Sequence, residues 1–320
     1  MRVLFRFLLR LVAPGLLAGA HGAFASVLAL APTSHGGVHV IDVASGDGSV
    51  LQVANCCAVQ AGSVAADTAS HRVYFLANRV GGVDLHAFGY AANGSDSVLA
   101  LNAPVRLSHL AFDAPNHRLV GLGVGDDGSV DVLTIDTATG NVTVTGTAAA
   151  GCCTLRAGVV AYQATSGLLF ALGRRSGDSN DQLLAFAVAS GGLQQAYDLG
   201  TERVVQLVAD GTELYGLSNA IGSDVQRIGH FTFAPTFAFT PYSGGASACC
   251  FALAGSAAID HANSVLVALT RADSAAATFQ PRAFAASGTP TVGSALTAFG
   301  LFEDDVRLLD RIFADGFDGP

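Results

Sequence analysis

Tryptophan and lysine are both absent from this chain of 320 residues, and only 13% of its residues are charged. With no lysine, all 16 basic residues are arginine, which is a bias of composition and not a chemical signature. Glutamate is nearly missing as well, occurring only as Glu202, Glu213 and Glu303. No G-x-S-x-G, H-E-x-x-H or glycine-rich phosphate loop occurs, so the sequence signatures of those enzyme classes are lacking. Past the N-terminus no window holds 18 uninterrupted apolar residues, so no membrane-spanning helix is expected.

Glycine, at 38 residues, and apolar residues, at 51%, are what the chain has in quantity. That profile suits a β-rich fold with many tight turns, because glycine supplies the backbone angles that turns need. It does not suit a disordered chain. Residues 1–25 read as a secretory signal. Arg2, Arg6 and Arg10 make the basic start, residues 11–20 the apolar stretch, and Ala23-Phe24-Ala25 a cleavage site before Ser26. No cysteine stands at the cut, so no lipid anchor is expected there. Cleavage leaves 13 arginines against 25 carboxylates, a net charge of −12. Such a chain repels a phosphate backbone and is a poor nucleic-acid binder. Export implies the periplasm, the cell surface or the medium, where paired cysteines become disulfides.

The cysteines set the register of the chain. They occur only as Cys56-Cys57, Cys152-Cys153 and Cys249-Cys250, spaced 96 and 97 residues apart. Gly62, Gly158 and Gly255 fall six residues after the first cysteine of each pair, and Ala65, Ala161 and Ala258 nine residues after it. This is an internal repeat near 96 residues. Each unit splits again: "SVAADTASHRVYFLANR" from Ser63 is echoed about 46 residues on by "HLAFDAPNHRLVGLGVG" from His109. Each half is an apolar run, a turn, two further runs and a less apolar fourth run. Four short runs with turns between them predict a four-stranded antiparallel sheet, and a radial array of such sheets is a β-propeller. The expectation is an all-β, six-bladed propeller over residues 26–316, with a tail at 317–320. Blades start near residues 63, 109, 158, 205 and 256. The last blade is split between residues 27–55 and about 306–316, so that N- and C-terminal strands close the ring and remove exposed edges.

"GVHVIDVASGDGSV" from Gly37 and "VDVLTIDTATGNVTV" from Val130 resemble the YVTN-type and NHL-type propeller repeats. The resemblance implies a propeller and little about chemistry, since propellers host binding modules and enzymes alike. A WD40 repeat fits worse, there being no Trp-Asp pair.

Several residue sets are candidates for function. Asp67, Asp113, Asp210 and Asp260 end the innermost strands. They are read as Asx turns more readily than as a ring of metal ligands. His71 and His117 are read as turn residues. The loops at Gly125 ("GDDGSVD") and Ser176 ("SGDSND") are read as hairpin loops before calcium sites. The cysteine pairs fall where the innermost strands begin, around the channel mouth where propellers bind ligands. The expected state is three vicinal disulfides, Cys56-Cys57, Cys152-Cys153 and Cys249-Cys250. The alternatives are cross-links between loops and a thiolate site for copper(I). Arg106, Arg156 and Arg203 share that rim, either drawing in an anion or paired with loop aspartates. The expected function is an exported binding or scaffold protein, plausibly monomeric, with no cofactor. It would take a small molecule or protein through the face bearing these cysteines and arginines. The competing expectation is an enzyme, a lactonase-like hydrolase or metal-dependent oxidoreductase, with its site in the central channel.

Overall fold

The computed structural model describes residues 27–310 except 34–36, 47, 53–57, 61–62, 91–95, 103–106, 126, 149–151, 222, 224, 246–250, 262, 272–277 and 297–306. The expected leader, the tail, Arg106, Cys56-Cys57 and Cys249-Cys250 lie outside the described residues.

Strands follow one another in antiparallel order. β1 (Val27–Thr33), β2 (Gly37–Asp42) and β3 (Gly48–Gln52) form the first meander. β4 (Ala58–Val59), β5 (Ala65–Asp67), β6 (Arg72–Arg79), β7 (Gly82–Gly89) and β8 (Asp96–Ala100) make the next sheet. Then come β9 (Leu107–Asp113), β10 (Arg118–Val124), β11 (Val130–Asp136) and β12 (Val142–Ala148). β13 (Cys153–Gln163), β14 (Leu168–Arg175), β15 (Gln182–Ala187) and β16 (Leu193–Asp198) follow. The next sheet holds β17 (Glu202–Asp210), β18 (Glu213–Ala220), β19 (Gln226–Thr232) and β20 (Ala238–Pro241). β21 (Phe251–Asp260), β22 (Val265–Arg271), β23 (Gln280–Phe284) and β24 (Thr291–Val292) come last but one. β25 (Arg307–Asp310) returns to the N-terminal meander and pairs antiparallel with β1, Leu309 opposite Leu28. The architecture is an all-β propeller.

The blade count needs correcting. Among the described residues five sheets are four-stranded blades, where six were expected. The run assigned to the blade near residue 63 makes a five-stranded sheet, because its innermost strand is broken into β4 and β5, both paired with β6. At the break the Ser63 hydroxyl accepts from Leu76 N at 3.1 Å and donates to Gln60 O at 2.6 Å, so a side chain replaces part of the backbone ladder. β13 and β21 carry irregularities at the corresponding place, between Leu155 and Val160 and between Ala252 and Ala257. Gly255, one of the recurrent glycines, lies in the second of these with φ at +73°. Gly255 therefore marks a bulge, where a left-handed residue is accommodated.

Burial explains why the runs read as they do. The central strands are covered on both faces by neighbouring sheets, so "QLLAFA" of β15 is buried throughout. Fourth strands sit at the rim, and "LQQAYD" of β16 has exposed or half-buried residues all along it. Apolar layers fill the gaps between consecutive sheets. Val120, Leu122 and Val132 meet Leu169, Leu184 and Phe186; Phe170, Leu172 and Leu183 meet Leu207, Leu214 and Phe231. Val27, Ala29 and Ile41 pack with Val267, Leu269 and Phe279. Burying one such side chain contributes about 1.5–3 kcal/mol, so these layers supply the main cohesion between blades.

Candidate functional site

Successive strands of a meander run in opposite directions, so each sheet has two ends. The starts of the innermost strands and the turns between second and third strands share one end, the cysteine end. The turns between first and second strands share the other, the aspartate end.

At the cysteine end, Cys152 and Cys153 stand at the start of β13 with Cα atoms 3.7 Å apart and sulfurs at disulfide distance, 1.90 Å. Cys153 is buried and pairs in register with Arg175 of β14. Arg156 lies close by on β13. Its guanidinium donates to Asp181 Oδ2 at 2.6 Å and to Val204 O of the next blade at 2.5 Å. Asp181 also takes Arg174 at 3.0 Å. Arg156 is thus a tie between blades, and its charge is met by a carboxylate. Arg203, at the start of β17, is exposed. The Ser176 loop holds Asp181 and Asp178, and Asp178 accepts from Gln182 at 2.9 Å. In the Gly125 loop, Asp127 Oδ1 accepts from Ser129 N at 2.9 Å, as a capped hairpin requires.

Peptide mapping of protein prepared without reductant should find Cys152 and Cys153 cross-linked to each other. Replacing both by Ser should cost only about 1 kcal/mol in chemical denaturation, since a ring closed by adjacent residues removes little chain entropy. A much larger loss would mean that the pair bridges distant loops.

At the aspartate end, the carboxylates serve turns. Asp67 accepts from Ala69 N at 3.1 Å and Ser70 N at 3.3 Å; Asp260 accepts from Asn263 N at 3.1 Å. Asp113, fully buried, takes Asn116 Nδ2 and Arg118 Nε, each at 2.9 Å. Beside it, burial and this carboxylate raise the Tyr162 hydroxyl above the ordinary tyrosine value. These turns close on a left-handed residue: His71, His117 and Ser264 have φ of 53°, 47° and 52°. Gly167 holds the corresponding place with φ at 65°. The histidines are turn residues, as expected.

Asp210 departs from this pattern. Its turn is the short Gly211-Thr212, with Asp210 paired in register with Glu213. Its carboxylate faces His261 Nε2 of the next blade at 3.6 Å. The pair stands at a cleft of about 240 Å³ lined by Tyr215, Ile228 and Tyr242 on one side and Ile259, Ser264 and Val265 on the other. His230 stacks on Tyr242, ring centroids 5.4 Å apart. Burial, then Tyr242, Glu213 and Asp210, raise the Tyr215 hydroxyl above the ordinary value. Among the described residues, no three His, Cys, Asp or Glu side chains are grouped as a metal site requires.

The sequence matches no protein-family model and no curated protein. Solved structures do match. TolB from Acinetobacter baumannii is similar over 91% of this chain and 68% of its own, with TM-score 0.56 and 13% identity. The Cps50 (Swd1) β-propeller domain of Myceliophteria thermophila matches over 80% and 79%, with TM-score 0.51 and 11% identity. Oligogalacturonate lyase from Vibrio parahaemolyticus matches over 77% and 68%, with TM-score 0.52 and 8% identity. The shared feature is the propeller fold.

Of this propeller's features, the adjacent bonding of Cys152-Cys153 and the turn aspartates were legible in the sequence. The cleft at Asp210 was missed. A signal was present: "DGTE" from Asp210 is two residues shorter across its turn than "DTASHR", "DAPNHR" and "DHANSV". The shortening removes the Ser or Asn that binds the carboxylate in three of the other turns, and this carboxylate turns to the neighbouring blade.

Proposed function

We propose that this is an exported propeller that binds a protein partner across its cysteine end, with β25 against β1 as the closure of the ring. Export rests on the leader-like residues 1–25. The observation that carries the binding site is apolar exposure at that end. Val80 and Ile221, at turns between second and third strands, are 101% and 69% exposed, and Phe251, at the start of β21, is 55% exposed. Large apolar side chains set at loop tips of separate blades favour association over solvation. A partner broad enough to span several blades covers them together, whereas a small molecule touches one. Cys152, half-buried at the start of β13, adds a stiff apolar contact at the same end, and we assign the same vicinal bonding to Cys56-Cys57 and Cys249-Cys250. Arg106 and Arg203 supply polar contacts at the rim, as does the outer edge of Arg156.

The reading is tested with the exported protein carrying a photo-crosslinker at Ile221. Cross-linking to one discrete partner should occur, and Val80→Asp with Phe251→Asp should reduce it about tenfold without changing the melting temperature. The same crosslinker at Thr137, on the aspartate end, should give no such product. Equal yields from both ends, or insensitivity to the double substitution, would overturn the assignment.

A further inference from the structure

We propose that the cleft between the β17–β20 and β21–β24 sheets is a second binding site, for a small organic cation with an apolar body. It lies at the aspartate end and is independent of the partner surface proposed above.

The shape comes first. About 240 Å³ is on the order of eight water volumes, enough for a compact ligand though smaller than a typical drug-sized pocket. The lining divides by chemistry. Ile228 on one side and Ile259 and Val265 on the other are apolar, and Tyr215 and Tyr242 present aromatic surface with polar tips. Asp210 stands at the mouth with its side chain 36% exposed, reachable from solvent. An ammonium group lodged here would gain a charge-assisted hydrogen bond to Asp210 and attraction to the tyrosine rings, while its hydrocarbon part covers the isoleucines.

The surroundings select the sign of charge. On the two flanking blades Glu213 and Asp260 stand at this end with Asp210, and among the described residues neither blade places an arginine in its turns there. His261, across from Asp210 at 3.6 Å, is positive only when protonated. An anion would meet a negative field and a carboxylate at the door; a cation is drawn in by both.

The test uses the full mature chain and three probes of one shape: benzylammonium, benzyl alcohol and phenylacetate. Binding is followed by NMR titration of the tyrosine ring resonances. Benzylammonium should bind with millimolar or tighter affinity and shift Tyr215 and Tyr242, about tenfold tighter than benzyl alcohol, a 1.4 kcal/mol preference. Phenylacetate should bind more weakly than either. Asp210→Asn should abolish the preference for the cation. Equal affinity for alcohol and ammonium overturns the proposal, as does a preference for phenylacetate. So do shifts confined to tyrosines other than Tyr215 and Tyr242, a reading that needs no variant to fold.

Discussion

Gly191→Ala should lower the stability of the chain by about 4 kcal/mol or more, or prevent folding altogether, while the adjacent Gly192→Ala should change it by less than about 0.5 kcal/mol. Gly191 sits in the turn between β15 and β16 with φ at +71°, a conformation that a residue with a Cβ resists by about 1–2 kcal/mol. The larger cost is steric. A Cβ there would overlap the backbone N and Cα of Gly146 and the carbonyl carbon of Thr145, on β12 of the preceding blade. The contact is reciprocal: a Cβ on Gly146 would stand 2.6 Å from Ser190 O and 2.8 Å from Gly191 Cα. Backbone meets backbone at this point, and no side chain can swing aside. β12 reaches it through a bulge opposite Val132 and Leu133, where Thr145 Oγ1 donates to Val132 O at 3.0 Å. A Cβ on Gly192 would meet nothing within 4 Å. Urea denaturation of the two variants side by side makes the comparison, and similar midpoints would show that the blades do not approach this closely.

Gln206→Leu should cost about 2–4 kcal/mol, although the substitution is apolar and nearly isosteric. Gln206 is fully buried on β17. Its Nε2 donates to Leu253 O, and its Oε1 accepts from Gly255 N at 3.0 Å, both in the irregular stretch of β21. That stretch has left the regular ladder, and the Gln206 side chain ties it to the neighbouring blade. Leu253 O also takes Ser256 Oγ at 2.6 Å. Leucine would remove both hydrogen bonds that Gln206 makes across the blade boundary at a fully buried position, which costs more than leucine's burial returns. Gln195→Leu, at an exposed position on β16, serves as the control and should stay within about 0.5 kcal/mol of the parent. A Gln206→Leu protein as stable as the parent would mean that these two bonds between blades contribute nothing to stability.

Both predictions concern contacts between blades, and that is where sequence reasoning reached its limit. The blades themselves were legible. Apolar runs such as "RVYFLANR" and "LLFALGRR", separated by turn residues and repeated near 46 and 96 residues, can form local antiparallel ladders and little else. The Asx turns were legible too, because an aspartate binds its own backbone two or three residues away. The count of four-stranded blades was not, since whether an innermost run stays one ladder through its bulge depends on how it meets the second strand, as where Ser63 takes Leu76 N. The Arg156 rim was half legible: its charge pattern was visible, but its carboxylate, Asp181, lies on another loop of the same blade.

By itself the sequence determined the strand pattern, the propeller architecture, the acidic balance and the placing of its cysteines in adjacent pairs, because each follows from residues close together in the chain or from composition. The tertiary structure alone decided where Gly191 meets Gly146, what Gln206 holds, and that Asp210 and His261 frame a cleft. Those partners are some 45 to 51 residues apart, one blade's length, and belong to sheets that meet face to face. Which side chains meet across such a gap depends on the twist and spacing of whole sheets, and no local pattern records it.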